Sequence, residues 1–204
     1  MIVNFVGAAG SGKTTTAAML FAQLKQQHIV CEFITEQARI YIAQYRLDRN
    51  VKPNEEIHFH DFDQLDIMSN QSKIEHAFIN SVGNGVVITD SSPLNALLYM
   101  SQWFKDKRKI DCHIGRQLND LIEQSVKNID VVFFCPITRS MVEDDHNRIH
   151  SFEQSIEVEK SIKPIFTECC PAVIPIMIEL NGDIEGRYQQ ALEVIVNRRD
   201  NEQK

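Results

Sequence analysis

The sequence predicts an α/β fold: a five-stranded, mostly parallel sheet with helices on both faces and a small lid. Three observations carry this reading. Short apolar runs alternate with stretches of helical periodicity along the whole chain of 204 residues. The apolar runs are continuous rather than interleaved with polar residues, as strands covered on both faces are. A glycine-rich turn joins the first apolar run to the first helical stretch.

Taken in order, Ile2 to Val6 reads as a buried strand ending at Gly7. From Lys13 to Gln26 the pattern is helical, with Ala17, Leu20, Phe21 and Leu24 recurring at three- and four-residue spacing. Ile29 to Ile34 is a second strand with Glu36 just past its end, and Gln37 to Tyr45 is a helix. Residues 46–56 are polar, carry Pro53 and read as a loop. Glu55 to Ser81 reads as mostly helical, with Ile57, Phe62, Leu65, Met68, Ile74 and Phe78 facing the core. Gly83-Asn84-Gly85 ends it. Val86 to Thr89 is a third strand closing on Asp90, and Pro93 opens a helix that runs to Trp103. After the charged connection Lys105 to Lys109 come a helix from Ile114 to Ser125 and a fourth strand from Asp130 to Cys135, stopped by Pro136. The polar residues 137–151 precede a helix from Phe152 to Cys169 that contains Pro164. Val173 to Leu180 is a fifth strand with an interruption at Pro175, and Asp183 to Arg199 is the last helix. The expected organisation is one domain over 1–204 with a lid-like segment at 137–151.

Composition narrows the function classes. A net charge of −7 removes a whole-surface basic field for nucleic acid. Five scattered cysteines without a CxxC argue against a disulfide framework or a zinc site. No apolar stretch reaches the ~20 residues that span a bilayer, and the first apolar run is too short for a secretory signal. A cytoplasmic protein is expected.

The spacing Gly7-x4-Gly12-Lys13-Thr14 is that of a phosphate-binding loop, and it sits where such a loop works, between a strand and a helix. Glycines let the backbone of Gly7, Ala8, Ala9, Gly10, Ser11 and Gly12 curl so that N–H groups point at phosphate oxygens. The helix beginning near Lys13 adds its positive end. Lys13 would reach the β- and γ-phosphates, the Thr14 hydroxyl would hold Mg²⁺, and Thr15 would bond an α-phosphate. The fold expected is therefore that of a P-loop NTPase.

Three further features bear on the chemistry. Glu36 follows the second strand, at the carboxyl end that faces the ligand crevice in open α/β sheets. It is a candidate proton acceptor or metal anchor, and Arg39, one helical turn on, is a candidate grip on substrate. An ordinary Glu–Arg surface pair is the alternative. Asp90 ends the third strand beside the loop and is a candidate metal ligand or base; a helix cap is its alternative. The polar stretch 143–150 holds Arg148, a candidate lid arginine for stabilising a transferred phosphoryl group, with Arg139 second. The GTPase base signature Asn-Lys-x-Asp does not occur, and the chain is short for a motor ATPase with a sensor domain. A kinase is the favoured class, and a nucleotide-gated binding switch with little turnover is the alternative of another class.

These motifs together, Asn4 to Phe21, then Thr35-Glu36-Gln37-Ala38-Arg39, then Ile88 to Leu94, resemble a group of small P-loop kinases and ATPases common in bacteriophages. That group is similar in turn to ribosylnicotinamide kinases and, more distantly, to thymidylate and deoxynucleoside kinases. The resemblance implies ATP and Mg²⁺, transfer of the γ-phosphoryl group to a hydroxyl of a nucleoside, a nucleotide or a related acceptor, Glu36 or Asp90 as base, and Arg148 on the lid. One phage branch phosphorylates 5-hydroxymethyluracil in DNA during thymidine hypermodification, which makes a modified DNA base the alternative acceptor and the host cytoplasm the location. Ala8-Ala9 stands where Gly-Pro is common, and Ser91-Ser92 stands where an arginine often follows the aspartate in nucleoside kinases. Lys105, Lys107, Arg108 and Lys109, beside Trp103 and Phe104, are the candidate nucleic-acid contacts; a solvated loop is the other reading.

Overall fold

A computed structural model describes residues 1–52, 55, 57, 60–98, 112–138 and 152–202. Five strands, β1 (Ile2–Val6), β2 (Cys31–Ile34), β3 (Val86–Asp90), β4 (Val131–Phe134) and β5 (Met177–Glu179), form one sheet in the order β2-β3-β1-β4-β5. Every neighbouring pair is parallel. The expected mostly parallel sheet is thus parallel throughout. The helices are α1 (Lys13–Gln26), α2 (Gln37–Arg49), α3 (Asp61–Val82), α4 (helical residues 93–98), α5 (Cys112–Asn128), α6 (Phe152–Cys169) and α7 (Ile184–Glu202).

Strand β4 shows why both faces must be covered. Successive side chains of a strand point to opposite faces, and all four of its residues, Val131 to Phe134, are buried. Val131 and Phe133 join the core with Val3, Phe5, Leu20, Leu24, Ala191 and Ile195, so α1 and α7 cover that face. Val132 and Phe134 join Met68, Leu94, Leu118, Ile122, Ile162 and Phe166, so α3, α4, α5 and α6 cover the other. α2 stands apart, packed on α3 and with no buried residue of its own.

Three sequence expectations are corrected. The long helix α3 starts at Asp61, not at Glu55. His60 caps it, its backbone N–H donating to Asp63 Oδ2 at 2.7 Å, while Lys52 and Glu55 close a separate turn. Phe62, expected in the core, is 68% exposed. The buried residues of α3 are Ile67, Met68, Gln71, Ser72 and Glu75, and at 3.6 residues per turn Phe62 lies on the far side of that stripe. Val173 to Ile176 is not strand. Pro171 and Pro175 have no N–H to give to a ladder and fix φ, so Pro171–Ile176 winds into a 3₁₀ turn and only Met177–Glu179 pairs with β4.

Register places the site. Phe5 pairs with Asp90 across β1 and β3, so the carboxylate ending β3 stands level with the end of β1, where the glycine loop begins. Among the described residues no helix is long and apolar enough to cross a membrane.

Candidate nucleotide site

The loop between β1 and α1 has a backbone that side chains would spoil. Gly7 has φ +156°, and a Cβ there would meet the Cys135 carbonyl oxygen at 2.5 Å and Ser11 Oγ at 2.6 Å. Gly10 and Gly12 have φ of 80° and 83°, the left-handed region that costs glycine nothing. Gly12 is the N-cap of α1, so no side chain caps that helix, and its first turn holds no acidic residue. The first-turn N–H groups of a helix lack intrahelical partners. With no side-chain cap on them, these N–H groups and the positive end of the helix dipole suit an anion. Lys13 is buried and its ammonium donates to the Ala8 carbonyl at 3.0 Å, curling back over the loop. Thr15 is exposed at the loop's edge.

The structure brings Thr14 and Asp90 together. Thr14 Oγ1 donates to Asp90 Oδ2 at 2.5 Å. Asp90 is 1% exposed, and its other oxygen, Oδ1, is buried with no hydrogen-bond partner among the described residues. Burial raises the Asp90 pKa above the usual carboxylate value, while the Lys13 charge and the Thr14 hydrogen bond pull it back, and Glu36 and Arg39 act on it from a greater distance. An orphaned carboxylate oxygen beside a hydroxyl is a hard, anionic donor set that suits Mg²⁺. The capping role falls to Ser92, whose Oγ accepts from the Leu94 N–H at 3.2 Å.

Glu36 stands at the N-cap of α2, one-fifth exposed, and accepts from Arg39 Nε at 3.1 Å. Both sequence candidates therefore lie where expected, and the pair exists as well. An exposed ion pair of this kind adds at most about 1 kcal/mol to stability, so the pairing leaves the carboxylate available for other work. Arg148 and Arg139, the lid-like segment from residue 139 onward, and Lys105, Lys107, Arg108 and Lys109 lie outside the described residues.

Sequence reasoning missed a buried polar chain that ties these carboxylates together. Gln71 of α3 accepts the Gln37 N–H at 3.2 Å, next to Glu36, and donates to Thr89 Oγ1 at 3.2 Å, next to Asp90. Its amide also donates to Glu75 Oε1 at 3.0 Å, and the Thr89 hydroxyl donates to the same oxygen at 3.1 Å. One glutamine side chain thus spans the two strand ends that carry Glu36 and Asp90. The signal was present: Gln71 and Glu75 sit four apart among the apolar positions of α3, where a polar pair has to find internal partners.

Glu75 is 6% exposed, and burial pushes its pKa up to about 7 despite the hydrogen bonds from Gln71 and Thr89. A carboxyl group with a raised folded pKa contributes stability that is fully present below its unfolded pKa and lost as pH rises through the folded value. The loss falls between about pH 4.5 and 7 and amounts to about 3 kcal/mol once complete. Glu75→Gln keeps the acceptor oxygen and removes the charge. Its thermal midpoint is expected to match the parent near pH 4.5 and exceed it at pH 8, an order that paired melting curves check. A midpoint at pH 8 at or below the parent's would contradict a buried ionising Glu75.

The chain has relatives in family and in fold. An AAA-domain family profile matches residues 2–187. The chain belongs to the AAA-domain family. No curated protein matches the AAA-domain chain. Its fold is similar to the NadR protein solved in complex with NR, with a TM-score of 0.67 and 19% identity over 95% of this chain and 50% of that one. The chain therefore spans half the length of NadR. Thymidylate kinase from Ehrlichia chaffeensis is similar at a TM-score of 0.61 and 18% identity, over 96% and 98% of the two chains. Deoxyadenosine kinase from M. mycoides, solved with the products dCMP and dCDP, is similar at 0.59 and 16% identity, over 98% and 100%. At such identities the likeness shows the fold, an α/β P-loop NTPase fold built in the same way as these kinases.

Proposed function

We propose that this AAA-domain chain is an ATP-dependent kinase that transfers the γ-phosphoryl group to a hydroxyl of a nucleoside or nucleotide. The observation that carries the reading is the pairing of Thr14 with a buried Asp90 whose second oxygen has no partner, directly beside the phosphate loop. The kinase folds it resembles support it. Thr14 and Asp90 would hold Mg²⁺, which neutralises charge on the β- and γ-phosphate oxygens when bound.

The chain's own residues divide the remaining work. The loop N–H groups and Lys13 hold the triphosphate and stabilise the charge spread over the transferred group. With Asp90 committed to Thr14, Glu36 is the base. Its carboxylate accepts the proton of the acceptor hydroxyl while that oxygen bonds to the γ-phosphorus and the bond to the β–γ bridging oxygen breaks, releasing ADP. Arg39 orients Glu36 and faces the acceptor. In this reading Arg148 of the lid-like segment 137–151 stabilises charge on the transferred group.

Labelled ATP offered to free nucleosides, nucleotides and duplex DNA containing 5-hydroxymethyluracil tests the assignment and chooses the acceptor. ADP release is expected to require one acceptor class and to label it. Rapid hydrolysis indifferent to every acceptor would sink the kinase reading, and label on the duplex alone would make a modified DNA base the substrate. Glu36→Gln is expected to lower kcat about 100-fold with the KM for ATP unchanged. An unaltered kcat would remove Glu36 from the role of base.

A further inference from the structure

We propose that Arg187 is a positioning residue for the nucleotide's phosphate chain: from behind the loop it fixes the Ser11 peptide and supplies a buried positive charge that the polyphosphate neutralises. The inference rests on the nucleotide-binding reading above and adds to it a residue that reaches the loop from α7.

Arg187 is 0% exposed and is the largest fully buried side chain among the described residues. It enters from the start of α7, which is itself fixed: Asp183 accepts the Arg187 N–H through its carbonyl at 3.0 Å and the Gly186 N–H through Oδ1 at 2.8 Å. The guanidinium forks between two backbone oxygens. Nη1 donates to the Ser11 carbonyl at 2.7 Å and Nη2 to the Pro136 carbonyl at 2.6 Å, so a single side chain bolts the phosphate loop to the second residue after β4. Nε is buried and has no hydrogen-bond partner among the described residues.

Two physical consequences follow. In a trans peptide the carbonyl and the following N–H point in opposite directions, and the described chain has no cis peptide bond. With the Ser11 carbonyl held toward α7, the Gly12 N–H faces away from α7, toward the side a phosphate occupies. The second consequence is electrostatic. Carbonyl oxygens solvate a guanidinium but do not cancel its charge, and an uncompensated buried charge is costly. No carboxylate forms an ion pair with Arg187 among the described residues. Glu159 is near enough to feel the charge, but its carboxylate accepts the Ile137 N–H. Among the described residues, the buried charges that bond to the loop or to Thr14 are Lys13 and Arg187, both positive, and Asp90, negative, while Glu75 lies behind Thr89. A polyphosphate is the anion that completes this balance, and it gains more from it the more phosphates it carries.

The test uses the whole chain and its Arg187→Met, Arg187→Gln and Arg187→Lys variants, titrated with fluorescently labelled ATP, ADP and AMP, with thermal unfolding recorded for each. The Met and Gln variants are expected to bind ATP about tenfold or more weakly, ADP less so, and AMP within about threefold of the parent. The Lys variant keeps the charge but reaches one carbonyl at most. Its preference for ATP over AMP is expected to fall about threefold. A folded Met or Gln variant that binds ATP within twofold of the parent would overturn the proposal. So would an equal loss for ATP, ADP and AMP, which marks general damage rather than action on the phosphates. Should the Met and Gln variants fail to unfold cooperatively, the Lys variant decides, and an unchanged ATP-to-AMP ratio there overturns it. A parent chain that binds no ATP fails the underlying reading instead, and the inference goes with it.

Discussion

Lys13→Ala is expected to lower kcat/KM for phosphoryl transfer by about 100- to 1,000-fold, the range found when a preorganised donor to developing charge is removed. The ammonium is buried and lies 3.0 Å from the Ala8 carbonyl, so it is held over the loop by its own backbone and needs little rearrangement to meet phosphate oxygens. Such preorganisation is what makes an electrostatic contact effective in a site that excludes water. Lys13→Arg is the sharper variant. It retains the charge, yet a planar fork does not substitute for a compact ammonium in a pocket this closed. If the contribution is positioned charge, the Arg variant recovers only part of the loss. Steady-state kinetics with labelled ATP and the acceptor found by screening measure both, and an Ala variant within threefold of the parent would remove the loop lysine from the mechanism.

How far the sequence could lead is best seen by comparing the two ends of the chain. Residues 2–26 were legible because three signals coincide: a continuous apolar run, a glycine spacing with one known conformation and a helical stripe that begins at once. β1 and α1 match these bounds. Asp90 and Glu36 were legible for a topological reason, since a carboxylate at the carboxyl end of a parallel strand has one crevice to face. The start of the fifth strand was not. Its apolar run fits strand and 3₁₀ turn equally, and the prolines at 171 and 175 decide by denying the ladder its N–H groups.

The residues that hold the site in place were the least visible. Gln71, Glu75 and Arg187 belong to helices whose pattern reads as core, and Arg187 falls in register with buried Ala191 and Ile195. A charge in such a stripe is a sign of an internal partner, but the sequence does not say which. For Arg187 the partner is a carbonyl 176 residues earlier, and only the folded sheet brings the two together.

Asp90→Asn separates function from stability and is expected to move them in opposite directions. The substitution is nearly isosteric, and the amide oxygen still accepts from Thr14 Oγ1, so the loop keeps its shape. The negative charge is lost, and with it the affinity of this corner for a hard divalent cation. Transfer is expected to fall about 100-fold or more at fixed Mg²⁺, with partial recovery as Mg²⁺ is raised. Stability runs the other way. Burial is the largest influence on Asp90, and it holds the folded pKa above the ordinary carboxylate value. A raised folded pKa means that the folded state binds the proton more readily than the unfolded one, so its contribution to stability is present at low pH and is lost as pH rises through the folded value. Once pH exceeds the folded value, the parent therefore carries a buried, incompletely compensated charge that the Asn variant lacks. The Asn variant is expected to melt higher than the parent at pH 8, with the gap closing on acidification below the ordinary carboxylate range. Such opposition marks a carboxylate kept for what it binds rather than for what it stabilises. A variant that loses activity and melts lower at pH 8 would show that Asp90 serves mainly to hold Thr14 in place, and one that keeps its activity would move the metal and its chemistry away from β3 altogether.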